Sequence, residues 1–201
     1  MKNIPIGISN FIQLLHDDCI YVDKTKEILF IVKNNRYALF SRPRRFGKSL
    51  TLDAIETLFT YGTEPYFKGT YIAGNNEDGT PRWTEPTYPV LRLDFSAIAA
   101  NDIPTLRSNF ITIINEQCHK LGIEEFPVEN KRIGDVLSAF TIRLNKTYVL
   151  LIDEYDAPLN ALIDKNEAFE AVSEELRVFY ARIKESNISG HLRLLLVTGV
   201  T

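Results

Sequence analysis

The sequence contains few of the residues that build metal centres, disulfide frameworks and membrane spans. Its 201 residues include two cysteines, Cys19 and Cys118, and three scattered histidines. The absence of CxxC or close cysteine–histidine spacing argues against a disulfide framework and a metal cluster, and favours a reducing compartment. No apolar run approaches the roughly 20 residues of a membrane span, and the start of the chain lacks a signal-peptide apolar core. We therefore expect a cytoplasmic protein with no membrane partner.

The chain also lacks an excess of basic residues. It has 23 lysines and arginines against 26 aspartates and glutamates, which gives a net charge of −3. Duplex nucleic-acid binders are usually basic as domains, so the overall charge argues against that function and leaves only a local basic patch open. Hydrophobic residues make up 45% of the chain, which is enough for an ordinary globular core. The length suits one large α/β domain or two small ones.

Strand-like and helix-like segments alternate along the chain. The predicted strands cover residues 36–41, 88–96, 147–156 and 192–200. The last two are nearly continuous apolar runs, which is typical of parallel strands buried on both faces. The predicted amphipathic helices cover residues 49–61, 105–121, 132–145 and 167–185. This alternation predicts an α/β fold with right-handed crossovers and a mostly parallel sheet.

Two regions fall outside this alternation. Residues 1–35 predict a helical or irregular prefix that packs on the sheet, so that residues 36–201 form the core domain. Residues 62–86 are rich in glycine, asparagine and proline, which predicts a long loop or a small insertion.

The first predicted strand leads into the segment RPRRFGKSL, which ends like a phosphate-binding loop. Gly47, Lys48 and Ser49 match the end of the pattern G-x-x-x-x-G-K-[ST] and lie between a strand and a helix. In such loops backbone amides and the helix N-terminus surround the phosphates, the lysine reaches the β- and γ-phosphates, and the hydroxyl binds Mg²⁺. Arg42 occupies the position of the first glycine, so the strict pattern fails by one residue.

The third predicted strand ends in a pair of acids, Asp153 and Glu154. This is the Walker B pattern of nucleotide hydrolases, in which the first acid holds Mg²⁺ and the second polarises the attacking water. Both motifs are expected at the carboxyl edge of the sheet, where open α/β sheets bind ligands. The alternative is a solvated turn in which Asp153 caps the next helix. The agreement of two motifs in residue type, order and sheet edge favours the nucleotide site.

The fourth predicted strand places a hydroxyl at the same edge. Thr198 is the candidate for a contact with the γ-phosphate or the attacking water, and Thr201 is the second candidate. A hydroxyl that satisfies backbone groups at the strand end is an equally good interpretation of Thr198.

The basic loop also allows two other functions. Four cations surround Phe46 in SRPRRFGKS, which favours a nucleic-acid-binding module if the patch contacts a phosphate backbone. A scaffold that binds nucleotide without hydrolysing it, and that serves protein interaction, is the third interpretation.

Three sequence blocks together resemble the bacterial AAA-ATPase-like family: YVDKT at 21–25, RPRRFGKSL at 42–50 and LIDEYDAPL at 151–159. Members of that family often carry a restriction-endonuclease-like nuclease domain at the C-terminus. The resemblance covers essentially the whole chain, and the arginine-rich loop is the normal form in that family. It implies a P-loop NTPase three-layer sandwich with in-chain strand order 1-4-3-2. A fifth strand, a helical lid and any nuclease domain are expected beyond Thr201.

The resemblance also implies the ligand and the roles of the site residues. It implies Mg²⁺ and ATP as cofactors, with ATP hydrolysis or an ATP-driven switch in a larger multidomain protein, and it allows an oligomer. Ser49 and Asp153 are assigned to the metal, and Glu154 is the catalytic base, assisted by Lys48 and Thr198. The predicted cofactor-binding residues are Arg44, Arg45, Phe46, Gly47, Lys48, Ser49 and Leu50. The loop arginines add positive charge near the phosphates, or else bind a neighbouring subunit or Asp156.

The YVDKT block has two interpretations. Asp23 or Lys24 helps to seat the base or to hold the loop arginines, since this segment precedes the first strand. Alternatively, Asp23 is the N-cap of a helix over residues 24–32.

Overall fold

The computed structural model describes residues 2–41, 43, 46–98 and 101–199. The predictions for Arg42, Arg44, Arg45 and Thr201 lie outside these residues. In the described ranges the chain forms a four-stranded sheet of β1 Tyr37–Ser41, β2 Val90–Asp94, β3 Tyr148–Asp153 and β4 Leu192–Gly199. All neighbouring strands are parallel, and their order is β1-β4-β3-β2. The α/β class and the predicted strand order are therefore confirmed.

Helices connect the strands and cover both faces of the sheet. In the part of the chain that the structure describes they are α1 Phe11–His16, α2 Thr25–Asn34, α3 Lys48–Tyr61, α4 Ile103–Leu121, α5 Ile133–Leu144, α6 Ala157–Asn160, α7 Asn166–Ile183 and α8 Ser186–Ser189. The four helices predicted from periodicity correspond to α3, α4, α5 and α7, with ends that differ by one or two residues. The short helices α1, α6 and α8 were not predicted individually, because helices this short depend on tertiary contacts rather than on local periodicity.

Two hydrophobic clusters lie on opposite faces of the sheet. Along β3, Leu150 and Ile152 pack in one cluster with residues of α4, α5 and α7. Val149 and Leu151 alternate with them and pack in the other cluster, with residues of α2 and α3. This alternation of period two explains why the strand reads as a continuous apolar run, since each face has its own core.

The amino-terminal prefix packs in the same cluster as α3. The ring of Phe11 stacks on that of Phe67, with centroids 4.7 Å apart, and contacts the edge of Tyr21 at 5.0 Å. Phe67 belongs to the 62–86 insertion, which contains one short 3₁₀ helix, Tyr71–Ala73, and otherwise neither helix nor strand. The prefix and the insertion therefore stabilise each other on one face of the sheet.

Asp23 joins the prefix to the insertion. Its carboxylate accepts a hydrogen bond from the N–H of Thr25 at 2.8 Å and another from the N–H of Tyr71 at 2.7 Å. The Thr25 hydroxyl accepts a third, from the N–H of Ile72 at 3.0 Å. The N-cap residue of α2 is Lys24, so the prediction of Asp23 as N-cap is wrong by one residue. Asp23 instead accepts from the first N–H group of the helix and holds the insertion in place.

No helix in the described ranges is both long enough and apolar enough to cross a membrane.

Candidate functional site

The register of the sheet places the predicted site residues in one row at its carboxyl edge. Phe40 pairs with Thr198, and Asp94 pairs with Asp153. A hydrogen bond between Thr198 and Asp153 joins the two halves of the row. Because neighbouring strands are about 4.8 Å apart, Asp153 lies two strand spacings, about 10 Å, from β1. The chain leaves β1 at this same level and continues into the predicted phosphate-binding loop.

Gly47 makes the turn from the loop into α3. Its φ is 76°, in the left-handed region that favours glycine, and it is the N-cap residue of the helix. The carbonyl oxygen of Gly47 accepts the first helical hydrogen bond, from the N–H of Thr51 at 2.9 Å. The N–H groups of Ser49 and Leu50, in the first turn, have no acceptor within the helix by its geometry. They form the positive end of the helix dipole, which favours an anion.

Lys48 is the first residue of α3 and is buried, with 6% of its surface exposed. Its ammonium donates to the carbonyl oxygen of Pro43 at 3.4 Å. The side chain therefore turns back towards the loop that precedes the helix. Ser49, the next residue, is half-buried, and Phe46 before the turn is 56% exposed.

Asp153 is a buried carboxylate with a fixed orientation. Only 3% of the residue is exposed. Its Oδ1 accepts hydrogen bonds from the Thr198 hydroxyl at 2.5 Å and from the N–H of Glu154 at 3.1 Å. Its Oδ2 lies 3.9 Å from the guanidinium of Arg92. These contacts contradict the solvated turn that was the alternative interpretation of this residue.

Glu154 leaves the strand in an uncommon backbone conformation. Its φ is 49°, in the left-handed region that non-glycine residues rarely adopt. The side chain is half-buried, and within the described part of the chain its carboxylate has no hydrogen bond or ion pair. Strained residues of this kind occur preferentially at functional sites, because the surrounding structure must hold them in place.

Thr198 is fully buried and lies behind the two acids. Its hydroxyl donates to Asp153 and is 3.4 Å from the N–H of Glu154. Its carbonyl oxygen accepts from the N–H of Tyr155 at 2.9 Å. The hydroxyl and the carbonyl oxygen of Thr198 therefore both hold the turn at residues 153–155. This favours a positioning role over direct contact with a phosphate.

Sequence reasoning missed an ionic network behind Asp153. Arg92 on β2 donates to Asp53 at 2.8 Å and to Glu56 at 3.1 Å, and both acids are on α3. Burial lowers the pKa of Arg92, but the two carboxylates outweigh this effect, so its pKa is raised and the charge is retained. The other oxygen of Asp53 accepts from the N–H of Phe11 at 2.6 Å. The network thus connects the amino-terminal prefix, the helix α3 and the strand β2, which pairs with β3 beside Asp153.

The only sequence signal for this network was a charged residue inside the apolar strand VLRLD. Nothing in the local pattern indicated that its partners lie on α3, because the pairing with Asp53 spans 39 residues.

A groove of about 350 Å³ lies beside the loop, between the prefix and α3. Its walls are mostly apolar and comprise Pro5, Leu14, Ile20, Tyr21, Val22, Lys24, Phe46, Gly47, Leu50 and Thr51. A second groove, of about 840 Å³, follows the outer side of β2 and contains Asp53, Glu56 and Arg92. The smaller groove is the one that adjoins Gly47, so it is the better candidate for the ligand of the loop.

The described residues contain no cluster of three or more histidine, cysteine, aspartate or glutamate side chains that could hold a metal alone. Magnesium in phosphate sites is usually bound by one or two carboxylates together with water and substrate oxygens. Asp153 and the Ser49 hydroxyl fit that kind of site, in which the phosphates complete the coordination.

Comparison with known proteins identifies the family of the chain. The family model described as "Predicted AAA-ATPase", of the AAA-ATPase-like family, matches residues 5–201. The chain is 35% identical over 205 residues to a protein of Azotobacter chroococcum mcd 1 described as "Uncharacterized protein in vnfD 5'region". That alignment covers 100% of this chain and 37% of the relative, so the chain spans little more than a third of its length. No solved structure matches the chain. The match over nearly all of its residues shows that the chain belongs to the AAA-ATPase-like family.

Proposed function

We propose that this domain binds ATP with Mg²⁺ at the carboxyl edge of its sheet. One observation carries the proposal: the chain passes from β1 into α3 and Lys48 at the edge of the sheet where the oriented carboxylate of Asp153 lies. A helix N-terminus with a buried lysine binds phosphate, and a carboxylate at the same edge can hold the metal bound to that phosphate.

Each residue has a distinct role in the proposed complex. The Lys48 ammonium and the N–H groups of Ser49 and Leu50 bind the β- and γ-phosphates, and the Phe46 side chain borders them. The Ser49 hydroxyl and the Asp153 carboxylate would hold Mg²⁺, which would supply positive charge to the phosphates. Thr198 keeps the Asp153 carboxylate oriented through its hydrogen bond.

The position of Glu154 supports ATP hydrolysis in the full-length protein. Its half-buried carboxylate, which has no partner among the described side chains, would accept a proton from a water molecule that attacks the γ-phosphorus. The new P–O bond would form as the bond from the γ-phosphorus to the β–γ bridging oxygen breaks, and Lys48 would stabilise the negative charge left on ADP.

Calorimetric titration of ATP in the presence of Mg²⁺ tests the binding step. Replacing Lys48 by alanine should weaken ATP binding by at least about tenfold, because a charge-assisted phosphate contact contributes about 1.5–3 kcal/mol. Lys33→Ala is the matched control, since this exposed lysine is in the last turn of α2 and lies beside Thr147 and Leu192, at the opposite edge of the sheet from the loop. Equal ATP affinity of the Lys48→Ala variant and the native protein would contradict the proposal.

Turnover separates an enzyme from a scaffold. Glu154→Gln should retain ATP affinity and lose phosphate release in the full-length protein, since the amide cannot accept the proton. ATP binding without any phosphate release by the native full-length protein would select the non-hydrolysing scaffold. DNA binding with a steep salt dependence and no competition by ATP would select the nucleic-acid module.

A further inference from the structure

Lys24, in the YVDKT block, lies directly beside the phosphate-binding loop. Its ammonium nitrogen is 3.4 Å from the position that a Cβ atom would occupy on Gly47. Lys24 also lines the groove between the prefix and α3, together with Phe46 and Leu50. A second cation, contributed by a segment before β1, is therefore placed at the turn where α3 begins.

No carboxylate in the described ranges compensates the charge of Lys24. The nearest acid in the chain, Asp23, accepts from the N–H groups of Thr25 and Tyr71 instead. Glu27 borders a small cavity with Lys24, but the two side chains form no ion pair. Lys24 is half-buried, and an ammonium partly removed from water without a counter-ion is unfavourable. The geometry therefore provides a place for an anion.

Hydrogen bonds fix the position of the Lys24 backbone, from which the side chain extends. Its carbonyl oxygen accepts from the N–H of Ile28 at 3.1 Å, in the first turn of α2. On either side, Asp23 and Thr25 are hydrogen-bonded to the 62–86 insertion. The insertion therefore holds the two residues that flank Lys24, while the Lys24 side chain extends to Gly47.

We propose that Lys24 is a second phosphate-binding lysine, which contacts the phosphate chain of the nucleotide beside Gly47. This inference rests on the proposed function and adds a binding residue to it. Phosphate is the expected anion because the ammonium reaches Gly47, the turn at which the N-terminal end of α3 begins, and a helix N-terminus favours anions. A lysine acts there as a compact point charge that needs no bidentate geometry. The YVDKT block then has two functions, because Asp23 and Thr25 anchor the insertion and Lys24 binds the ligand.

The experiment measures binding of four probes to the intact protein: ATP, ADP, inorganic triphosphate and adenosine. Lys24→Met keeps much of the side-chain volume and removes the charge. It should weaken triphosphate, ADP and ATP binding by about tenfold or more, and leave adenosine binding unchanged. Lys24→Arg keeps the charge and should restore most of the affinity. Lys33→Ala, on the same helix, should bind all four probes as the native protein does.

The outcomes separate this inference from the proposed function. If the native protein binds ATP and triphosphate and Lys24→Met binds them equally well, Lys24 has no role at the phosphates, while the proposed function stands. If the native protein binds neither probe, both proposals are wrong. An equal loss of adenosine affinity would show a contact with the base, and a lowered melting temperature without rescue by Lys24→Arg would show a structural role. Either result overturns the phosphate assignment.

Discussion

The hydroxyl of Thr198 on β4 donates a hydrogen bond of 2.5 Å to the carboxylate of Asp153 on β3. Both residues are buried, and the bond joins two neighbouring strands at the edge where the loop begins. The acid proposed to hold the metal is thus oriented by a side chain that is itself enclosed in the sheet.

Thr198→Val removes this hydrogen bond and nearly preserves the side-chain volume. We expect the free energy of unfolding to fall by about 1–3 kcal/mol, because a buried charged acceptor loses a donor. Turnover by the full-length protein should fall more than ATP affinity, since Lys48 and the helix N-terminus still bind phosphate. Denaturant unfolding and steady-state kinetics measure the two effects. Thr198→Ser is the control, because it retains the hydroxyl, and it should keep most of the activity.

Arg92→Met should be among the most destabilising single substitutions in the chain. It leaves the carboxylates of Asp53, Glu56 and Asp153 without their shared cation. Removing one partner of a largely buried ion pair costs about 3–5 kcal/mol. Arg177→Met is the contrast, because the pair that Arg177 forms with Glu174 is exposed to solvent and is expected to contribute little to stability. Urea unfolding of both variants provides the test. Equal losses of unfolding free energy would show that the buried Arg92 network stabilises the protein no more than an exposed ion pair does.

Gly47→Ala should reduce ATP affinity as well as stability. Alanine at a φ of 76° is strained by roughly 1 kcal/mol, and its Cβ would lie 3.4 Å from the Lys24 ammonium. Gly79→Ala has the same type of backbone strain, with a φ of 84°, but its Cβ meets nothing within 4 Å. Both variants should lose similar stability in thermal unfolding, and only Gly47→Ala should bind ATP more weakly. Equal ATP affinities would show that the turn at Gly47 does not contact the ligand.

The anchoring of the insertion by Asp23 should depend on pH. Burial raises the pKa of this carboxyl, but the hydrogen bonds from Thr25 and Tyr71 outweigh it, so the pKa in the folded protein is below its ordinary value of 3.8. A depressed folded pKa stabilises the protein above the unfolded pKa, and this contribution is lost as the pH falls through the folded value.

Asp23→Asn should therefore destabilise the protein at neutral pH, and the difference from the native protein should shrink as the pH falls below about 4. Unfolding free energies measured from pH 7 to pH 3 test this. The control is Asp164→Asn, an exposed residue without a hydrogen bond or ion pair in the described ranges. A constant difference over the whole pH range for Asp23→Asn would contradict the expected titration.

Much of the fold could be predicted because its determinants are local. The continuous apolar run of β3 indicated a strand buried on both faces, and the amphipathic spacing in residues 105–121 indicated the helix α4. The segment Gly47-Lys48-Ser49 was predicted to lie between a strand and a helix, and it does so, with Gly47 as the N-cap residue of α3. The strand order came from the family resemblance, and the register of the sheet confirms it.

Thr198 shows where local patterns reach their limit. Its place at the end of an apolar strand identified it as a site residue, but the pattern was equally compatible with a phosphate contact and with a structural hydrogen bond. Only the pairing of β4 with β3 brought its hydroxyl to Asp153, 45 positions away.

The sequence by itself determined the alternation of strands and helices, the phosphate-loop remnant and the acidic pair, because these depend on the type and spacing of neighbouring residues. The tertiary structure alone decided that Arg92 neutralises Asp53 and Glu56, and that Lys24 lies at Gly47. These contacts join segments far apart in the chain. Their geometry follows from how the prefix, the insertion and α3 pack on one face of the sheet, which no local pattern of residues encodes.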